Sequence, residues 1–531
     1  MLVFYNGTIR TMDPANPVVD AVLVGNDGRI RAVGSRAEIE TSAGDAERID
    51  LQGHTLIPGF NDAHTHVQWL GLMLTRLVDA TIVKAPTIDT IIALYRQRAA
   101  ERELGEWVTG GGYNENFLPE KRHVTRYDLD QASTQHPMQL VHTSGHVSVA
   151  NSLALKIAGI TRDTPDPQGG HIVRDENGEP TGVLEENAMT LVMQHIPEIT
   201  EEQMADAIRA AMAHQLTLGI TSATDPAVDP FHIKVYRQLE AAGRLTVRIN
   251  LLAERRNGDV IFPLPEKYVS DTLRLDGVKF FADGGMTTAT AAIREAFKDV
   301  GGHGIMIYET EQLADLMWES HDAGFHIATH ANGETALEQV ISVYEMITER
   351  KPRPVLRHRI EHFALPDPEH LERLARIGGM VATQTVFLPA MGPAYRRYLP
   401  DVCIPRAYGV RDMLDAGIEV ALSTDAPVVP DDNPLLGLKS AVDRKDHAGV
   451  PLAPNQAITM EEALYAYTMG GAILSGDQDN RGSITAGKWA DLVILSGDPV
   501  TTPVDDLLSL YVEATYVAGQ CVYRLSTNPG G

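Results

Sequence analysis

The sequence predicts an α/β protein: a (β/α)8 barrel with a small β-sandwich built from both ends of the chain. Three observations predict it. From about residue 58 to 475, apolar strand-like runs alternate with helical stretches, the rhythm of a parallel sheet. Several runs end on a polar residue capable of chemistry, as the C-terminal ends of barrel strands do. Short alternating segments of one character occupy residues 1–57 and recur in 476–531.

The N-terminal segments are Leu2-Val3-Phe4-Tyr5, Ala21-Val22-Leu23-Val24, Ile30-Arg31-Ala32-Val33 and Thr55-Leu56-Ile57, separated by Asn6-Gly7, Asp27-Gly28 and Gly53. Their C-terminal counterparts lie in Gly482-Ser483-Ile484 through Leu495 and in Val512 through Val517. Between them, strand-like runs include Gln139 to His142, Val278 to Phe281, His326 to His330, Arg359 to His362, Met380 to Thr383 and Val420 to Ser423, with helical stretches at 199–216, 311–323 and 367–377. The stretch of about 70–190 is too long for one βα unit and is rich in turn signals such as Gly110-Gly111-Gly112. It predicts an insertion over the barrel mouth, either a substrate lid or surface decoration.

A chain of 531 residues exceeds what one ordinary core supports. Its 45 Lys and Arg against 71 Asp and Glu give a net charge of −26, which argues against nucleic acid or an anionic membrane as partner. The two cysteines, Cys403 and Cys521, lack the spacing of a thiolate metal site or a disulfide framework, which predicts a cytoplasmic setting. Neither a signal peptide nor a membrane span is predicted.

In a strand, residues i and i+2 share a face, so His64 and His66 can point into the barrel together and hold one metal ion. Alone the triplet says little, because 19 histidines in 531 residues supply roughly 0.7 such pairs by chance. Its weight comes from His330, His362 and Asp425, each at the end of a predicted strand. The set is rich in nitrogen and completed by a carboxylate, which suits zinc, or iron or manganese. Taken singly, His330 and His362 are equally readable as satisfied core histidines, and Asp425 as a turn or cap. His326 and His358 stand at strand starts, toward the stability face, and are left out. Lys279 sits in an apolar strand where an unpaired ammonium is costly. Either it pairs, for example with Asp283, or its amine has reacted with carbon dioxide to give a carbamate that bridges two metals.

Taken together, Ile57-Pro58-Gly59-Phe60-Asn61-Asp62-Ala63-His64-Thr65-His66, Val278-Lys279-Phe280-Phe281-Ala282-Asp283-Gly284-Gly285, His330-Ala331-Asn332-Gly333-Glu334, Arg357-His358-Arg359-Ile360-Glu361-His362, Ser423-Thr424-Asp425-Ala426-Pro427-Val428 and the closing Gly482-Ser483-Ile484 to Val493 resemble the amidohydrolase superfamily. More narrowly they resemble its YtcJ-like branch, which includes N-substituted formamide deformylases. The resemblance implies a distorted barrel with a sandwich from both termini. It implies that His64 and His66 bind a buried metal, carboxylated Lys279 bridges, His330 and His362 bind a second metal, and Asp425 contacts the first. Branches differ in holding one or two ions. The family often has Asp where Glu334 stands, so Glu334 is assigned no role. His146 matches a family segment resembling a substrate-facing histidine and is equally readable as a loop-stabilising one. Trp69, Tyr113 and Phe117 line an apolar pocket or simply pack. Family members are commonly dimers or larger homo-oligomers.

The function expected is hydrolysis of a C–N bond in a small N-acyl, N-formyl or cyclic amide. The metal would lower the pKa of water and polarise the carbonyl, and Asp425 would pass the proton to the leaving nitrogen. Competing readings are ester, lactone or carbamate hydrolysis or ring deamination on the same site, and a non-catalytic metal-binding sensor.

Overall fold

The computed structural model describes residues 1–115, 118–142, 147–167, 169–258, 260–353 and 358–526. The chain divides into two compact units, one of residues 1–67 with 211–531 and one of residues 68–210.

The first unit contains the expected barrel. Its parallel strands are β1 (Phe60–Asp62), β2 (Ile220–Val228), β3 (Arg248–Glu254), β4 (Leu273–Phe281), β5 (His326–Ala331), β6 (Arg359–His362), β7 (Met380–Thr383) and β8 (Glu419–Leu422), hydrogen-bonded in that order. The ladder does not run between β8 and β1. There the chain is stitched just beyond the strand ends: the Asp425 N–H donates to the His64 carbonyl at 2.8 Å and the His66 N–H to the Ala426 carbonyl at 2.8 Å. The helices Thr310–Asp322, Glu334–Arg350 and Pro368–Arg376 alternate with β4 to β7. Their buried faces, for example Leu337, Val340, Ile341 and Tyr344, follow the three-to-four spacing of an amphipathic helix.

Strands from both chain ends join one eight-stranded sheet, in which Thr55–Pro58 pairs antiparallel with Leu492–Leu495. The sheet folds over its own core, so that Phe4 meets Tyr516 edge to face at 5.1 Å between ring centres. Gly59 links this sheet to β1, and a Cβ there would lie 2.0 Å from Thr221 Oγ1, so the approach of β2 requires glycine.

Asp491, in the closing motif, ties the sheet to the barrel. Its carboxylate takes the buried Arg248 guanidinium of β3 in a two-pronged pair at 2.5 and 3.0 Å and the Ala518 N–H at 2.8 Å. Removing one partner of such a pair strands a buried charge. Asp491→Ala is therefore expected to lower stability by about 3–5 kcal/mol, read as a fall in the denaturant midpoint at unchanged slope.

The second unit carries a six-stranded sheet in the order Gly170–Arg174, Pro180–Glu186, Val147–Ala150, Met138–His142, Val108–Tyr113, Leu77–Asp79. The run at 139–142, which the sequence groups with barrel strands, belongs to this sheet. Among the described residues no helix is long and apolar enough to cross a membrane.

Candidate metal centre

The histidine triplet does not lie on a strand as expected. β1 stops at Asp62, whose carboxylate accepts the His64 N–H at 3.3 Å and the Thr424 N–H at 3.0 Å. This cross-link replaces the next rung of a ladder, and the turn beyond it is held by the Thr65 N–H on the Thr224 carbonyl at 2.9 Å. His330 lies near the end of β5, His362 closes β6, and Asp425 follows β8, all at the C-terminal end of the barrel. Asp425, His362 and Phe363 have left-handed backbones (φ 55, 71 and 48°), a cost of order 1–3 kcal/mol each.

These elements bring His64, His66 and Asp425 together, with ligand atoms all within 4.8 Å of one another. Asp425 Oδ1 lies 3.4 Å from His64 Nε2 and 3.2 Å from His66 Nε2. His362 stands 5.1 Å from His64 and 4.5 Å from His330 between ring centres. Its Nδ1 lies 4.0 Å from Asp425 Oδ2.

The outer nitrogens are fixed by partners, as metal-ligating imidazoles require. His64 Nδ1 donates to Glu361, which the Arg359 Nε–H also reaches at 2.6 Å. His362 Nδ1 donates to Gln384 Oε1 at 2.6 Å, and Gln384 in turn donates to Ser423. These bonds leave the Nε2 atoms of His64 and His362 as lone-pair donors. His330 Nε2 faces the Gly284 carbonyl at 3.2 Å, which leaves its Nδ1.

Burial opposes charge on His64, but the carboxylates of Asp425 and Glu361 outweigh it and raise its pKa. Burial pushes His362 down to about 4, against the pull of Asp425. His330 is driven well below its usual value, first by burial and then by the repulsion that its own charge would meet from His362 and Lys279. Against the penalty of burial, His64 and His66 hold Asp425 ionised well below the usual carboxylate range.

Lys279, on β4, is 1% exposed, and its Nζ has no hydrogen-bond partner among the described residues; it lies 4.9 Å from the centre of the Phe281 ring. Burial lowers its pKa to about 8 against the charges of Glu361 and Asp425. The salt bridge to Asp283 does not form. Asp283 instead accepts the N–H groups of Ala292, Asn332 and Gly333 at 3.0, 3.0 and 2.9 Å. His358 is held at the opposite strand end, between the Ile327 N–H at 3.1 Å and His321 at 2.9 Å.

Of the other candidates, Trp69 is 41% exposed, whereas Tyr113 is fully buried in the second unit with its hydroxyl 3.0 Å from His123 Nδ1. His146 and Phe117 lie outside the described residues.

Sequence reasoning missed Glu361. A signal was present: Arg359 and Glu361 share strand parity, so a buried pair of opposite charges had to face the barrel interior. Glu361→Gln keeps the shape but weakens the acceptor for His64 Nδ1. Metal affinity is expected to fall about 10–100-fold, measured by competition with a chelator, with the fold intact by circular dichroism.

The donor set fits a divalent cation: imidazole nitrogens of His64 and His66 turned toward a carboxylate held ionised, His330 and His362 close by, and a buried amine with no hydrogen-bond partner among the described residues. A barrel with such a set at its C-terminal end defines a metal-dependent hydrolase, and the comparisons agree. Residues 47–523 match the amidohydrolase family, and the chain belongs to it. Within the family it falls in the YtcJ-like branch. It is 31% identical over 541 residues to the N-substituted formamide deformylase of Arthrobacter pascens, covering 98% of both chains. It is also 31% identical to the putative amidohydrolase YtcJ of Bacillus subtilis over 99% of each. An uncharacterised metal-dependent hydrolase from Pyrococcus horikoshii OT3 superposes with a TM-score of 0.76 at 25% identity, over 95% of this chain and 99% of that one.

Proposed function

We propose that this amidohydrolase cleaves the C–N bond of a small, neutral N-acyl, N-formyl or cyclic amide, with His64, His66 and Asp425 holding one divalent cation. His330 and His362 hold a second, and Lys279, carboxylated on Nζ, bridges the two. Zinc suits this mixture of imidazole nitrogen and carboxylate oxygen, with iron or manganese as substitutes. A cation held there lowers the pKa of water toward neutrality and polarises a carbonyl oxygen.

The observation that carries the reading is the position of Asp425, whose Oδ1 lies within 3.2 and 3.4 Å of two imidazole nitrogens. A carboxylate so placed accepts a proton from the attacking water and returns it to the leaving nitrogen, which departs poorly unless protonated. The relative from Arthrobacter pascens, named for deformylation of N-substituted formamides, supports an amide-type substrate.

The test is metal analysis coupled to a substrate screen. Chelation is expected to abolish activity, and zinc or manganese to restore it. Formamides and N-acyl amines should be cleaved with higher kcat/KM than the matched esters and lactones. A metal-free protein that retains full activity would refute the proposal.

A further inference from the structure

Inside the barrel, on the N-terminal side of the metal ligands, two small cavities adjoin. One is bordered by Asn250, Gly277, Ile327, Arg359 and Ser475, the other by Thr224, Asn250, Arg274, Ser475 and Arg481. Asn250 and Ser475 border both. Each cavity leaves about 10 Å³ for the centre of a water molecule, about what one water needs.

The walls are polar and unfinished. Arg359 Nη1, Arg274 Nε and Arg481 Nε are buried and lack an acceptor among the described residues. Arg359 is 3% exposed, and its other two nitrogens are committed: Nε to Glu361 at 2.6 Å and Nη2 to the Ala63 carbonyl at 3.0 Å. Buried donors of this kind are almost always satisfied, by protein or by ordered water.

Charge decides what fills the space. Each guanidinium already faces its own carboxylate: Arg359 with Glu361, Arg274 with Asp276 at 2.6 Å, and Arg481 with Asp477. An anion would add an uncompensated buried charge. Water is neutral and offers lone pairs to all three donors. The Ser475 hydroxyl, which donates to the Gly471 carbonyl at 3.0 Å, keeps its own lone pairs to accept from water.

We propose that these cavities form a built site for two ordered water molecules that pin the Arg359 guanidinium and, through Glu361 and the Ala63 carbonyl, the imidazole of His64. Arg359 then has all three nitrogens anchored, and Glu361 is held where it fixes the ring. Asn250 and Ser475 are positioning residues for the metal centre, acting from within the barrel without touching substrate. The proposal rests on the reading of His64 as a ligand.

The test has two arms. A high-resolution crystal structure of the wild-type, metal-loaded protein is expected to show water in both cavities, one molecule within hydrogen-bond reach of Arg359 Nη1. Dry cavities, or an ion in their place, would overturn the proposal. In the second arm, Asn250→Leu puts a larger apolar side chain with the same branching into the space, and chelator competition should show metal affinity about 10–100-fold weaker. A loss of thermal stability with unchanged affinity would mean a merely structural role and would also overturn it. Should Asn250→Leu fail to fold, Ser475→Ala is read the same way, with a weakening of about tenfold expected. A wild-type protein that binds no metal while its cavities hold water refutes the metal reading instead; the water site is then tested by whether the Arg359 and Glu361 side chains shift in crystals of the variant.

Discussion

Asp425→Asn is expected to lower kcat by about 10²–10⁴ with a much smaller change in KM. The carboxamide keeps an oxygen of the same size 3.2 to 3.4 Å from His64 and His66, so the metal is retained in good part. What is lost is the ability to take and return a proton. Asn cannot accept the proton of the attacking water, and the leaving nitrogen departs unprotonated. Substrates with better leaving groups should recover part of the rate, because they need less of the returned proton. Metal content and KM measured beside kcat separate this from simple loss of the cation, which would reduce metal content and activity together. Full activity in the variant would rule out the shuttle.

Lys279→Met is expected to take bound metal from two ions per chain to one and to cost about a hundredfold in kcat/KM. Methionine fills the same apolar strand position without an amine, so the barrel should remain folded. The wild-type protein should also reload metal after chelation only when bicarbonate is present. The pH dependence follows from burial, which brings the amine to about 8. Below that pH the ammonium predominates and cannot attack carbon dioxide. At a fixed concentration of dissolved carbon dioxide, reloading should therefore accelerate as pH rises toward about 8 and level off above it. In forming the carbamate, the neutral amine adds to carbon dioxide and one proton leaves. Reloading without bicarbonate, or two ions in the methionine variant, would refute the bridge.

The barrel was legible because β4 to β8 announce themselves as apolar runs ending in polar residues. The ligand candidates were legible as those polar ends. β2 was not, because Ile220–Val228 reads Ile-Thr-Ser-Ala-Thr-Asp-Pro-Ala-Val, too polar to stand out, although seven of its first seven positions are buried. Its polarity is satisfied inside the barrel, as where Asn250 of β3 donates to Thr224 at 3.2 Å. Partners distant in the chain were also hidden. Nothing local joins Glu361 to His64, or Asp62 to Thr424. The pairing of Lys279 with Asp283 was suggested by their closeness in sequence, but Asp283 lies past the strand end and is consumed by three backbone amides. Gly333, one of its donors, sits where a Cβ would meet the Ala292 carbonyl at 2.0 Å, so this tight loop leaves no room for alternatives.

The stitch between the first and last barrel strands has a consequence for biogenesis. Asp62 and Thr424, bonded at 3.0 Å, are 362 residues apart, and His64 meets Asp425 across the same seam. A nascent chain that has not yet released β8 lacks Asp425, the carboxylate of the proposed cluster with His64 and His66. On the proposed reading, the cation would be fully held only once β8 has closed against β1, and it would then stabilise the closed barrel, since whatever binds the native form alone stabilises it by mass action. Uptake of the proposed cation would therefore report closure of the barrel.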